Sequence, residues 1–284
     1  GTRVWRGKER IPWPLKEKPP VISEACSDPQ ALLSFSQGLR NLIAEHRGAA
    51  CMVGATAGLR QAIDEGTVTE KQILELRQIL PPKCVLRVLS PQEEAHYELR
   101  CMREFTEASY AMMSMGGKSM QLGREKALYS LPFAMHLGYD FLSDNSLSWH
   151  ERIPALEAEY VRLASEEKDS QDIGLIEGTV VGITDTVQVA KKLGLCGKQI
   201  EVKEFMKALT EETNKLLQLE SESGLERQDF VYAARVILMK AVIATIIDSD
   251  AHLLFRDDFK VSWTAGFFLD GAEMHSANIF APVK

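Results

Sequence analysis

From residue 29 onward the apolar positions Leu32, Leu33, Phe35, Leu39, Leu42 and Ile43 recur at three- and four-residue spacing, the period of a helix that buries one face. Asp28, just ahead of them, suits the N-cap. A short apolar run over residues 49–53 breaks at Gly54, and helical spacing resumes from Leu59. A second helix over 69–79 is stopped by Pro81 and Pro82, and residues 84–89 have the β-branched and apolar make-up of a strand. Strand, helix and strand in succession predict an α/β lobe. Upstream, residues 4–6 read as the end of a strand, and Pro12, Pro14, Pro19 and Pro20 exclude regular helix or central strand from the segment they occupy.

The second part of the chain opens with a helix over 93–105. An apolar run over 110–115 then meets Gly116-Gly117, and the chain resumes at Gln121, which predicts a hairpin around the glycines. Residues 148–165 form an amphipathic helical stretch, and the polar run 166–172 after it reads as a solvated linker. Residues 180–193 read as largely helical, and 202–219 as a charged amphipathic helix. The most apolar stretch, 236–247, is broken by Lys240, preceded by Arg235 and shorter than the about 20 apolar residues that cross a bilayer, so it belongs to a core helix over 229–247. Residues 255–263 return toward a strand and turn, and 266–269 start a closing helix. No internal repeat or low-complexity tract interrupts the chain.

Composition narrows the class. With 284 residues, 45% hydrophobic and 26% charged, the chain buries a sizeable core without metal or disulfide staples and suits two lobes. Lys and Arg number 33 against 40 Asp and Glu, a net charge of −7, which works against a phosphate-backbone grip and argues against nucleic acid as a partner. Cys26, Cys51, Cys84, Cys101 and Cys196 are five, widely spaced, with no Cys-x-x-Cys, the usage of thiols in a reducing compartment such as the cytoplasm or an organelle interior, a mitochondrion for example. The six histidines, His46, His96, His136, His150, His252 and His275, show no metal-ligand spacing, and no metal ligand is assigned.

Several short segments carry a resemblance. Gly54-Ala55-Thr56-Ala57-Gly58-Leu59-Arg60 resembles a signature of the apyrase-type nucleoside di- and triphosphatase family. Gly1-Thr2-Arg3-Val4-Trp5 is similar to the tail of that family's first phosphate loop, and Leu89-Ser90-Pro91-Gln92-Glu93-Glu94-Ala95-His96-Tyr97 to the segment bearing its catalytic Glu. Gly116-Gly117-Lys118-Ser119-Met120-Gln121 resembles the second phosphate loop, and Ser262-Trp263-Thr264-Ala265-Gly266 the carboxyl-terminal Trp motif. The resemblance implies an actin/hexokinase-like, ribonuclease H-like α/β fold of two lobes with nucleotide in the cleft between them. One lobe would be residues 1–92 completed by 263–284, and the other 93–262.

It also implies roles. Glu94 would be the general base and Thr56 would assist the attacking water. Gly1, Thr2, Arg3, Gly116, Gly117, Lys118, Ser119 and Gln121 would surround phosphate. On composition alone, Glu94 is a solvated residue of a Gln-Glu-Glu run, Thr56 a capping residue at a strand-to-helix turn, and Gly116-Gly117 a plain β-turn. Tyr139, Phe141, Tyr232 and Phe255 are either base-stacking or core residues.

The chain also departs from the family pattern. Ser114 stands where the family has a metal-organising Asp, Lys118 where it has Ala, Met120 where it has Thr, and Ala95 where Gly follows the catalytic Glu. A hydroxyl supplies oxygen without charge to a hard cation. The expectation is therefore a catalytically impaired relative that serves as a structural or binding component, with protein partners in a larger complex and nucleotide as a ligand. The alternative is an active divergent hydrolase using a glutamate-activated water and Mg²⁺ or Ca²⁺.

Overall fold

In the computed structural model, residues 4–6, 9–11, 22–45, 51–80, 84–144, 146–218, 225–258 and 261 are described. The chain divides into two compact units, the first running through Tyr97 and the second from Glu98 to Trp263.

The first unit opens with an antiparallel pair, β1 (Val4–Arg6) and β2 (Glu9–Ile11), and continues with α1 (Ile22–Ser27) and α2 (Pro29–Glu45). The Asp28 carboxylate accepts the Gln30 amide at 2.9 Å, the capping role its place before the apolar period suggests. Two parallel strands, β3 (Cys51–Ala55) and β4 (Cys84–Val88), pair in register from Cys51↔Cys84 to Ala55↔Val88. Between them run α3 (Ala57–Asp64) and α4 (Glu70–Ile79), the latter started by a Thr69/Gln72 capping box. Phe35, Leu39, Val53, Leu59, Leu76 and Leu86 form the core of this unit.

After β4 comes α5 (Pro91–Met102). It starts two residues earlier than expected and ends three earlier. The reason for the start lies in Ser90-Pro91-Gln92-Glu93. The Glu93 amide reaches the Ser90 hydroxyl at 3.1 Å and the Ser90 amide reaches the Glu93 carboxylate at 2.8 Å, with Pro91 at the first helical position, where a missing N–H matters least.

The second unit is built on one six-stranded sheet. Its strands are β5 (Ala111–Met115), β6 (Met120–Arg124), β7 (Ala127–Leu131), β8 (Thr179–Thr184), β9 (Gln199–Glu201) and β10 (His252–Phe255), and their spatial order is β7-β6-β5-β8-β10-β9. β5, β8 and β10 are mutually parallel, whereas β6 and β9 run against their neighbours. One sheet face meets α6 (Met135–Ser143), α7 (Trp149–Ser170), α8 (Asp185–Lys192), α9 (Val202–Leu217) and α10 (Arg227–Ile246) in a core that takes in Met113, Met115, Val180, Leu253 and Phe255. The other face carries a smaller cluster of Leu99, Met102, Met112, Val181 and Ile183.

α10 is apolar nearly all round, the pattern of a helix enclosed by protein, and Ala233 through Ile246 supply the centre of the core. Gly138 lets α6 come close. A Cβ there would lie 2.8 Å from the Ala234 Cβ and against the Tyr160 hydroxyl, which itself donates to Ala134 O at 2.8 Å. Trp149 Nε1 closes the other end of α7 by donating to Leu216 O at 2.7 Å. No helix among the described residues is long and apolar enough to cross a membrane.

Three expectations need correction. The run 166–172 is not a linker, since α7 continues to Ser170. Glu166 pairs with Arg162 at 2.6 Å, and Lys168 Nζ donates to Thr245 O at 2.9 Å, so the polar residues belong to an ordered last turn. The segment 180–193 is not largely helical: its first part is β8, and only the second is α8. β8 is a central strand buried on both faces and so lacks the alternation that marks a half-exposed strand. The strand expected from residue 255 lies earlier, over His252–Phe255. The expected closing helix at 266–269 falls outside the described residues.

The aromatic candidates are core residues. Phe255 is fully buried and stacks on Phe205 at 4.9 Å between centroids, Tyr232 donates to Glu212 at 3.1 Å, and Tyr139 and Phe141 pack on the same core. Among the cysteines whose side chains are described, Cys26 and Cys101 are buried and Cys196 is half-buried, all three as thiols. Burial pushes the Cys26 thiol up to about 11, the value of an inert core residue.

Candidate functional site

In the first unit β3 ends at Ala55 and α3 begins at Ala57, so Thr56 is the N-cap between them. Glu94, in the first turn of α5, brings its carboxylate to that same helix start. Arg60 Nη2 donates to its Oε2 at 3.1 Å, and the Thr56 hydroxyl and Ala57 amide are near enough to favour its ionised form. Sequence reasoning did not anticipate Arg60 in this role. The signal was its place in the quoted Gly54–Arg60 segment, one helical turn after Thr56.

Arg60 also donates through Nη1 to Leu89 O, so one guanidinium ties the end of β4 to the first turn of α5. Glu94 is only 7% exposed. Burial pushes its carboxyl above the ordinary range, against the opposing pull of Arg60, Thr56 and Ala57. The structure thus joins Glu94 and Thr56, which stand 38 positions apart, in one polar cluster with a cation. The neighbouring Glu93 behaves differently. It is partly buried, yet the Ser90 amide, Arg87 and the Ser90 hydroxyl outweigh that burial and hold its carboxyl below the usual range.

The second unit gathers Gly116, Gly117, Lys118, Ser119 and Gln121 at the turn between β5 and β6. Gly116 N donates to Ser119 O at 3.0 Å, closing the hairpin. Gly117 faces α6: its carbonyl accepts the His136 amide at 2.8 Å, and a Cβ on it would lie 2.8 Å from His136 Nε2. Burial of the imidazole, with Lys118 nearby, lowers its basicity, so the ring is neutral at neutral pH. Gln121 is 1% exposed and turns inward, its Nε2 donating to Ser119 Oγ at 2.8 Å and reaching Ser130 Oγ at 3.4 Å.

Ser114 pairs across the sheet with Gln121 on one side and Ile183 on the other. It is 1% exposed, and its hydroxyl lies 3.1 Å from that of Thr184. A divalent cation at this place would meet neutral oxygens already engaged with each other. The residues present therefore do not fit a hard cation. Among the described residues no group of three or more His, Cys, Asp or Glu side chains converges on a point. Gly1, Thr2 and Arg3, the remaining phosphate-loop candidates, lie outside the described residues.

No family model and no curated protein matches the sequence. Solved structures do match in fold. An exopolyphosphatase-like protein superposes with a TM-score of 0.56 at 16% identity, over 88% of this chain and 88% of its own. The Aquifex aeolicus member of the Ppx/GppA protein family gives 0.57 at 16% identity, over 85% and 81%. An exopolyphosphatase from Cytophaga hutchinsonii gives 0.57 at 14% identity, over 86% and 83%. At such identities the likeness speaks for architecture alone. The chain has a two-lobed, actin/hexokinase-like α/β fold, the fold of these exopolyphosphatase and Ppx/GppA structures.

Proposed function

We propose that this protein is a catalytically impaired, nucleoside-phosphatase-like member of its superfamily that serves as a binding or structural component, with protein partners in a larger assembly and a phosphoanhydride as its ligand. The observation that carries this reading is the Ser114–Thr184 hydroxyl pair, which stands where the apyrase resemblance implies a carboxylate that organises metal. Phosphoryl transfer depends on charge stabilisation rather than on covalent chemistry by the protein. Replacing a carboxylate by a neutral, internally bonded hydroxyl therefore removes more from the reaction than from the fold. Gly117 packs against His136, whose basicity is lowered, which supports a loop without that charge. Sparse, odd-numbered cysteine usage without a Cys-x-x-Cys supports a reducing compartment as its location.

A second reading, an active divergent hydrolase, draws on one specific observation. Glu94 and Thr56 meet in a buried cluster, and burial raises the Glu94 carboxyl toward the range of an effective base. The Arg60 contact opposes it by engaging one carboxylate oxygen.

Phosphate release decides between the two. Nucleoside di- and triphosphates and inorganic polyphosphate, the last suggested by the exopolyphosphatases of like fold, are incubated with protein and Mg²⁺ or Ca²⁺, beside a Glu94→Gln control. Absence of release from folded protein, with retained binding of at least one of these anions, is the expected result. Release that disappears in Glu94→Gln would overturn the impaired reading and establish Glu94 as the base.

A further inference from the structure

Thr184 ends β8 with φ 58° and ψ −126°, the backbone of the first central residue in a type II′ turn, a position that glycine dominates. A β-branched residue there is strained, and such a conformation persists only where the surroundings over-determine it. The surroundings do so through one oxygen. Thr184 Oγ1 accepts the Met115 amide at 3.0 Å, lies 2.8 Å from Met115 O and 2.6 Å from Ile183 O, and is 3.1 Å from Ser114 Oγ.

A hydroxyl has one proton. When Thr184 gives it to a carbonyl, Ser114 must donate to Thr184, and the Ser114 proton is then committed inward. Met115 is the last residue of β5 and Gly116 opens the hairpin. The main chain of β8 turns away into α8 at this level, and the Thr184 side chain takes over as ladder partner to both polar groups of Met115. Asp185, the next residue, is anchored to Arg235 of α10 at 2.7 Å, which holds the turn from its other side.

We infer that Thr184 is a positioning residue: it clasps the end of β5, fixes the root of the glycine hairpin and directs the Ser114 proton away from any ligand of that loop. This rests on the reading of the hairpin as a former phosphate loop, and it names the residue that keeps the loop in one arrangement whether or not an anion is bound.

Amide hydrogen exchange tests it in the full chain, with Thr184→Ser, Thr184→Val and Thr184→Gly. Serine keeps the hydroxyl and is expected to exchange Met115 at the wild-type rate. Valine keeps the shape without the hydroxyl, and glycine relieves the backbone without it. Both are expected to speed exchange at Met115 by about tenfold, the loss of one structural hydrogen bond, while Leu253 of β10 is unchanged. Should the valine variant not fold, the glycine variant, whose backbone suits this turn, carries the measurement. A Met115 rate within about twofold of wild type in Thr184→Gly, or acceleration at Leu253 equal to that at Met115, would overturn the inference. Phosphate release by the wild type would sink the impaired reading without touching these rates, so the two failures are separable.

Discussion

Placing an aspartate at position 114 restores the charge that the apyrase resemblance implies, and the structure sets what that should do. Ser114 is 1% exposed, its nearest polar side chain is the Thr184 hydroxyl, and it pairs in the sheet with Gln121 and Ile183. Among the described residues no cation is paired with Ser114, so the folded protein is expected to hold the buried carboxyl protonated. Keeping an Asp with an unfolded pKa of about 3.9 neutral at pH 7 costs about 4 kcal/mol, at 1.36 kcal/mol per unit. At pH 5 the same arithmetic leaves about 1.5 kcal/mol. The folded pKa is raised, so the variant's stability relative to wild type is retained at low pH and lost as pH rises. Urea unfolding of Ser114→Asp and wild type at pH 5 and pH 7 should therefore show a destabilisation about 2.5 kcal/mol larger at pH 7. A pH-independent difference would refute the argument, because it would mean that the site already solvates or neutralises a charge.

Two further measurements probe the polar clusters. Arg60→Met should destabilise by about 3 kcal/mol near neutral pH, since it leaves the Glu94 carboxylate buried without its cation. The folded carboxyl pKa then rises further, so the loss shrinks as pH falls, and Arg60→Met/Glu94→Leu should recover most of it in urea melts. In the second unit, an NMR titration of His136 should give a midpoint below the ordinary 6.5, which Lys118→Met raises without bringing it fully back, because burial remains. The depressed folded pKa makes this histidine a source of stability above its unfolded pKa that is lost as pH falls. A midpoint at 6.5 or above in wild type would contradict the packing of the ring on Gly117.

What could be read from the sequence was mostly what local chemistry decides. Asp28 and Thr69 announced helix starts that the structure realises, and the Gly116-Gly117 turn announced the β5–β6 hairpin. β8 was misread because a strand covered on both faces carries no alternation, and only its parallel pairing with β5 and β10 distinguishes it from a helix. α6 and β7 were not anticipated as elements, and their apolar residues find their places on α10 and β6 rather than in a local period. In the candidate site, Glu94 and Thr56 were nameable from motifs, whereas the Arg60 guanidinium between α5 and β4 was not. Thr184 was least legible of all. Nothing in Ile183-Thr184-Asp185 signals a backbone that normally belongs to glycine, and its partner Ser114 lies 70 positions away.

The sheet order has a consequence for how the second unit is made. β10 is inserted between β8 and β9, with His252 opposite Thr179 on one side and Glu201 on the other. While the chain emerges in sequence order, β8 can join β5 early, but its far edge, bearing Val180 and Val181, must wait for the four residues of β10, which follow α9 and α10. Until then β8 is an exposed apolar edge and β9 a strand with no neighbour, the condition in which chains pair with one another. The span most exposed to misassembly during synthesis is thus 179–255, and it closes only when β10 slots into place.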